Sequence, residues 1–394
     1  MSLQATDQPS SLVRLAEFGC VPFLDALDRS LIASGELRRL IEEDRVSGVT
    51  TNPVIFGNAI ASGQGYEADL FRLVEQGTSG DELFLHLMVD DVREAADLLA
   101  AVYDRSGRRH GYVSLEVLPE LARDAEGTVE MARELWARVD RPNLLIKVPA
   151  TPEGIVAVEE LIATGVNVNV TTIFSVHTYE DVFWAYVRGQ QRRRVPDVAS
   201  VASFFVSRID NGVDRAIQDR VDLGTLDPSY LGLRGQAALA STRLVYERYR
   251  ELHRLPDTRH ILDRGGFPQR LLWASMLPRN DAYPDVKYVE GVAFPDTIAT
   301  IPMATLNAFR DHGVVDAALP PSREAAERTI GALAAAGITM DSVASQLLEL
   351  VLAAFQQAIV DLRRVVAGKA QQIPVQPDAT PRGSQPAAES GTCA

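Results

Sequence analysis

Residues 144–174 read LLIKVPATPEGIVAVEELIATGVNVNVTTIF, and the alternation within that stretch decides the fold class. LLIKVP (144–149) is an apolar run of strand length, 152–163 carries apolar residues at helical spacing, and VNVNVTTIF (166–174) is strand-like again. Thr151 stands where a helix N-cap is wanted, and Glu153 puts an acid in the first turn, where it suits the helix dipole. Outward from here the pattern repeats. VPFLD (21–25), SGVTT (47–51), YVSLEV (112–117), SVASFFV (200–206), RLLWAS (270–275) and VKYVE (286–290) complete a set of eight candidate strands. Helical patterns at 30–43, 66–76, 81–103, 128–139, 177–191, 208–219 and 232–253 lie between them, with Thr128 as a second N-cap candidate.

Eight strands alternating with helices predict an α/β protein, a (β/α)8 TIM barrel from about residue 20 to about 313 after an N-terminal segment, 1–19. The connection at about 207–269 holds more than one helix and reads as an insertion. Residues 322–368 carry two strong helical patterns expected to pack back across the barrel, within a single domain spanning 20–369. The apolar stripe of the last helix reads as core rather than dimer contact. The end, 370–394, is rich in Pro, Gly, Ser and Ala and is expected to be a disordered tail, because it has too little apolar surface to offset its ordering entropy.

Composition narrows the function. With 53 acidic against 39 basic residues the net charge is −14, which argues against general nucleic-acid binding; an anionic ligand would need a local basic pocket. No run of eighteen apolar residues occurs and the N-terminus lacks a signal-peptide pattern, so the expectation is a cytoplasmic protein with no membrane association. Cys20 and Cys393 cannot make a disulfide framework or a zinc site, and the six histidines have no ligand spacing, so neither metal nor other cofactor is expected. Whether the protein is a monomer or a homodimer is left open. The sharpest fact concerns lysine, which occurs only at Lys147, Lys287 and Lys369, all other basic residues being arginine. A retained lysine in such a chain suggests a required amine, since a guanidinium stays protonated and cannot form an imine.

The chemistry collects at strand C-termini, which face the active site in a barrel of this kind. Asp25, Asn52, Glu116, Lys147, Thr171, Ser203 and Ser275 occupy those ends on the first seven strands in order. Lys147 lies in an apolar strand, where a charged ammonium is costly unless paired or neutralised. Imine formation and a structural salt bridge to Glu116 or Asp25 both account for it. Glu116 and Asp25 could divide acid and base work between them, or could be core ion-pair partners. Thr171, two residues after Asn169 on the same strand face, could hold a water beside Glu116, or be an ordinary β-branched strand residue.

These residues also carry a resemblance. GVTTNPVIF (48–56), LLIKVPATPEG (144–154), VNVNVTTIFS (166–175) and SVASFFVSRID (200–210) resemble, in order, the signatures of the transaldolase family, especially its longer bacterial form. The resemblance implies a class I aldolase-type barrel that transfers dihydroxyacetone between sugar phosphates in the pentose phosphate pathway, without a metal. It implies Lys147 as the Schiff-base former, Asp25 as acid/base at the hydroxyl of the cleaved bond, and Glu116 with Thr171 as holders of the catalytic water. Asn52, Asn169 and Ser203 would bind the dihydroxyacetone hydroxyls, and Arg208 and Ser275 the phosphate. Arg279 would complete the phosphate site, with Lys287 as the alternative; Arg208 taken by itself could be a surface arginine at a helix start. The chain departs from the family at Met276, Arg279, Thr172 and the segment after Glu116, which leaves the donor and acceptor sugars open. Two further readings are an enzyme of related mechanism with an altered donor or acceptor in a biosynthetic pathway, and a catalytically silent barrel that acts as a binding protein.

Overall fold

The computed structural model describes residues 9–62 and 65–372. Eight parallel strands close into a barrel in chain order: β1 Cys20–Leu24, β2 Gly48–Val49, β3 Tyr112–Glu116, β4 Leu144–Pro149, β5 Val168–Ile173, β6 Ser200–Phe205, β7 Arg270–Ala274 and β8 Thr297–Ile301. Every strand residue is buried, which is why the strands read as nearly continuous apolar runs rather than as alternating ones.

The eighth strand is not where the sequence pattern put it. Residues 286–290 fall largely in a short helix, Lys287–Gly291, and the barrel is closed by Thr297–Ile301. Five successive pairs, from Cys20 with Thr297 to Leu24 with Ile301, join that strand to β1, and it also pairs with β7. A five-residue apolar run has no period long enough to separate strand from helical turn, so ladder partners decide. Thr128 is likewise not a cap: it lies inside the helix Ala125–Val139, whose first turn is capped by Asp124 accepting from the Gly127 N–H at 3.0 Å. Thr151 caps as expected, accepting from the Gly154 N–H at 2.9 Å.

Two glycines set joints near the barrel axis. A Cβ on Gly48 would lie 2.3 Å from the Phe23 ring, which fills the interior beside the short β2. One on Gly154 would lie 2.0 Å from the Pro149 carbonyl oxygen, so only glycine lets the helix Pro152–Thr164 start this close to the end of β4.

The insertion between β6 and β7 holds the helices Ser207–Asp222, Ala237–Leu252 and Pro256–Asp263. Two more, Arg323–Ala335 and Met340–Gln371, follow the barrel. By length and composition Met340–Gln371 could cross a bilayer, but its Val351, Phe355, Ile359 and Leu362 are buried against protein, chiefly along the helix Pro53–Ser62. Arg363 clamps the far end, donating to Asp81 at 2.7 and 2.8 Å and also to Glu120. The stripe is core, and it brings the helix over the C-terminal end of the barrel. Residues 373–394, most of the expected tail, lie outside the described residues.

Candidate active site

A cavity of about 270 Å³ opens at the C-terminal end of the strands. Asp25, Asn52, Lys147, Asn169, Thr171, Ser203, Arg208, Ser275 and Arg279 line it; Glu116 does not, but lies against the Lys147 amine at 3.4 Å. The register explains the convergence. Glu116 pairs with Lys147 and Lys147 with Asn169, so the three side chains share one face of three neighbouring parallel strands, the face turned into the barrel.

Lys147 is buried and its Nζ donates to the Thr51 carbonyl at 2.8 Å and to Glu116 Oε2 at 3.4 Å. Those two acceptors take two of the three ammonium hydrogens; loss of the third as a proton would free a lone pair for an electrophile in the cavity. The ion pair with Glu116 exists, so the structural reading of Lys147 is met as well; what exceeds it is the position of the amine on the cavity wall.

Burial raises the Asp25 carboxyl above the ordinary carboxylate range, against the opposing pull of Lys147 and a hydrogen bond from Thr50. Burial also raises Glu116, with Lys147 again opposing and Asp25 adding to the rise. Two carboxyls are thus held near one amine in separate surroundings. Thr50 Oγ1 lies 2.9 Å from Asp25 Oδ1 and 2.6 Å from Thr300 Oγ1. A hydroxyl has one proton, so while Thr50 donates to an ionised Asp25 it accepts from Thr300. Thr50→Val removes a bond that favours the charged carboxylate. The pH above which Asp25 is ionised is expected to rise by about 1 unit, the equivalent of one hydrogen bond to a charged group, and with it the acid limb of any rate that needs the carboxylate. A pH–rate profile that matches wild type would refute this.

Thr171 presents a buried Oγ1 with no partner among the described residues. The next residue, Thr172, sits at φ 62°, and the ladder between β5 and β6 slips between Val170 and Ile173. Left-handed backbone at a β-branched residue is a real outlier, of the kind that costs about 1–3 kcal/mol and persists where a site is built. Here it falls beside a hydroxyl free to hold a water or a substrate oxygen.

Asn52 Oδ1 accepts from the Val54 and Ile55 N–H groups at 3.0 and 3.1 Å, capping the helix Pro53–Ser62 and leaving its NH2 for the cavity. Asn169 is fixed at both ends, donating to Ser114 Oγ at 3.0 Å and accepting from Ser203 Oγ at 2.6 Å. Arg208 and Arg279 have neither an ion pair nor a hydrogen bond among the described residues. The Arg208 guanidinium is pushed down to about 10, first by burial and then by neighbouring Arg279. Two adjacent unpaired guanidiniums beside Ser275 make a receptor for a dianion. Lys287 is elsewhere: its Nζ donates to Asp210 Oδ2 at 3.0 Å and to the Gly235 carbonyl at 2.7 Å, tying the insertion to the helix that replaced the expected eighth strand. Of the two candidates for the second cation, the cavity holds Arg279.

Several lining residues escaped the sequence reading. Thr300 and Pro302 follow from the true β8, and a correct eighth strand would have exposed them. Phe355, on the last helix, and Val54, Ile55 and Leu277 at the rim had no signal beyond apolar character.

Comparison with known proteins bears on the same residues. Residues 22–366 match the family described as Transaldolase/Fructose-6-phosphate aldolase. The chain is 44% identical to a transaldolase of Thiobacillus denitrificans over 330 residues, 82% of this chain and 90% of that one. The chain belongs to this family. It is also 42% identical to transaldolase 1 of Streptomyces avermitilis over 363 residues, 91% of this chain and 95% of the relative. The family match extends past β8 to residue 366, so the last helix, which reaches the cavity at Phe355, belongs to the matched unit rather than to an appended module.

Proposed function

We propose that the protein is a transaldolase, moving a dihydroxyacetone unit from a ketose phosphate to an aldose phosphate through an imine on Lys147. The observation that carries this is the buried Lys147 amine, held against the raised Glu116 carboxyl, on the wall of a cavity that the raised Asp25 carboxyl and two unpaired arginines also line. The Nζ lone pair attacks the ketose carbonyl carbon, and a proton delivered to the carbinolamine hydroxyl lets it leave as water, giving the iminium. Glu116 and the unpartnered Thr171 hydroxyl hold the water that shuttles that proton. The iminium then draws electrons from the breaking C–C bond while Asp25 takes the proton of the adjacent hydroxyl. An aldose phosphate leaves, and the enamine stays on the enzyme. Addition to a second aldehyde reverses these steps, and hydrolysis frees the new ketose. Asn52, Asn169 and Ser203 orient the three-carbon unit, and Arg208, Arg279 and Ser275 hold the phosphate. The reaction proposed is sedoheptulose 7-phosphate with glyceraldehyde 3-phosphate, giving erythrose 4-phosphate and fructose 6-phosphate, in the pentose phosphate pathway, with the cytoplasm as the proposed compartment.

The family contains lyases as well as transferases, so the test is fructose 6-phosphate with and without erythrose 4-phosphate. Sedoheptulose 7-phosphate should form only with the acceptor, with little free dihydroxyacetone; fast release without acceptor would make the protein an aldolase. Arg208→Ala should lower kcat/KM for glyceraldehyde 3-phosphate by about 10- to 100-fold, the worth of a charged hydrogen bond, and leave unphosphorylated glyceraldehyde nearly unaffected. Equal losses with both aldehydes would remove Arg208 from the phosphate site.

A further inference from the structure

The other end of the barrel carries a second group of unpaired arginines. Arg270 is the first residue of β7, and its partner in the ladder is Val201. Four residues on is Ala274, which lines the Lys147 cavity, so by the two-residue period Arg270 also points into the barrel, at its N-terminal mouth. There a small cavity of about 20 Å³ is lined by Arg270, Arg108, Arg109, Tyr112, Val201 and Ile298, among others, and no acidic residue lines it.

Arg270 is 9% exposed. Its Nη1 donates to the Arg109 carbonyl at 2.9 Å and to His110 Nδ1 at 3.1 Å, and its Nη2 to the Thr297 carbonyl at 3.2 Å. A guanidinium has five N–H donors, so two remain without an acceptor among the described residues, the Nε–H being one of them. All three acceptors are neutral. Burial, then Arg270 and Arg109, hold His110 down to about 4, so it is an uncharged imidazole at neutral pH, and Asp296 makes no ion pair with Arg270. Arg108 and Arg109 are exposed at the mouth, and neither side chain has an ion pair or hydrogen bond among the described residues. In a chain of net charge −14, three cations thus converge on one cavity with no carboxylate in contact. A buried charge satisfied by dipoles alone is costly, and a counter-charge removes that cost.

We propose that this N-terminal mouth binds a small oxyanion of the inorganic phosphate class, separate from the phosphate of the sugar substrates. The cavity has room for about one oxygen atom, so one oxygen would enter to meet the free Arg270 N–H groups. The others stay at the opening between Arg108 and Arg109, whose forks match a tetrahedral anion. Because the folded barrel alone brings 108, 109 and 270 together, the anion stabilises the fold through linkage.

The test is calorimetric titration with inorganic phosphate at constant ionic strength, set by a chloride salt, on wild type, R208A/R279A, R108A/R109A and the fourfold variant. R208A/R279A removes the active-site receptor and should still bind one phosphate with a matching rise in Tm. The fourfold variant should lose that binding by about tenfold or more in affinity. R108A/R109A alters only exposed side chains and leaves the Arg109 carbonyl in place, so in phosphate-free buffer it should keep wild-type Tm and transfer rate. No phosphate bound by R208A/R279A, or equal binding by R208A/R279A and the fourfold variant, overturns the proposal. The transfer assays above are read separately, so either conclusion can fail alone.

Discussion

Lys147→Arg should abolish transfer while the barrel stays folded. Arginine keeps the positive charge beside Glu116 and has the neighbouring cavity to expand into, so the ion pair that a structural role requires can survive. What is lost is a nitrogen that can shed its proton and bond to a ketone carbon. Removal of a covalent nucleophile costs far more than loss of a contact, and kcat should drop by about a thousandfold or more. Borohydride with fructose 6-phosphate should reduce the wild-type imine and mark the peptide bearing residue 147; the variant should show no adduct, with far-UV dichroism unchanged. Turnover within tenfold of wild type would leave Lys147 a salt-bridge residue and sink the mechanism.

Asp25→Asn should separate bond cleavage from imine formation. Asparagine has nearly the same shape and can still accept from Thr50, so the fold and the Lys147 amine are preserved. It cannot take a hydroxyl proton. Loss of a positioned general base should lower kcat by about 10²- to 10⁴-fold, while borohydride still traps the imine on Lys147. The pH dependence follows from the direction of the shift: burial raises Asp25, the base acts only when ionised, and wild-type kcat therefore falls as pH drops through a value above the ordinary carboxylate range. Glu116 is raised too, so the acid limb belongs to both groups, and the portion that vanishes in the variant is the share of Asp25. Equal loss of trapping and turnover would instead move Asp25 to the imine-forming step.

The two carboxyls and the amine were legible because each sits at or beside the end of an apolar strand, where an ionisable residue has few structural excuses. The four sequence blocks carried Asn52, Lys147, Asn169, Thr171, Ser203 and Arg208 in the order in which the strands present them. Thr50 was quoted in GVTTN, yet nothing local marks it as the donor to Asp25, since that bond joins residues 25 positions apart. Thr300 was hidden by the misplaced eighth strand. In 286–290 the β-branched and aromatic residues of VKYVE imitate a strand, whereas Lys287 and Tyr288 are drawn to Asp210, 77 and 78 positions away.

The sequence by itself determined the barrel class, seven of its eight strands and the residues at the ends of those seven, because periodicity and strand-end polarity are local. Which segment closes the barrel, which of Arg279 and Lys287 lines the cavity, how Phe355 reaches it and where Arg108, Arg109 and Arg270 meet were decided only by tertiary structure. Each depends on ladder pairing or packing between residues far apart in the chain, and no local pattern encodes which distant partner lowers the free energy most.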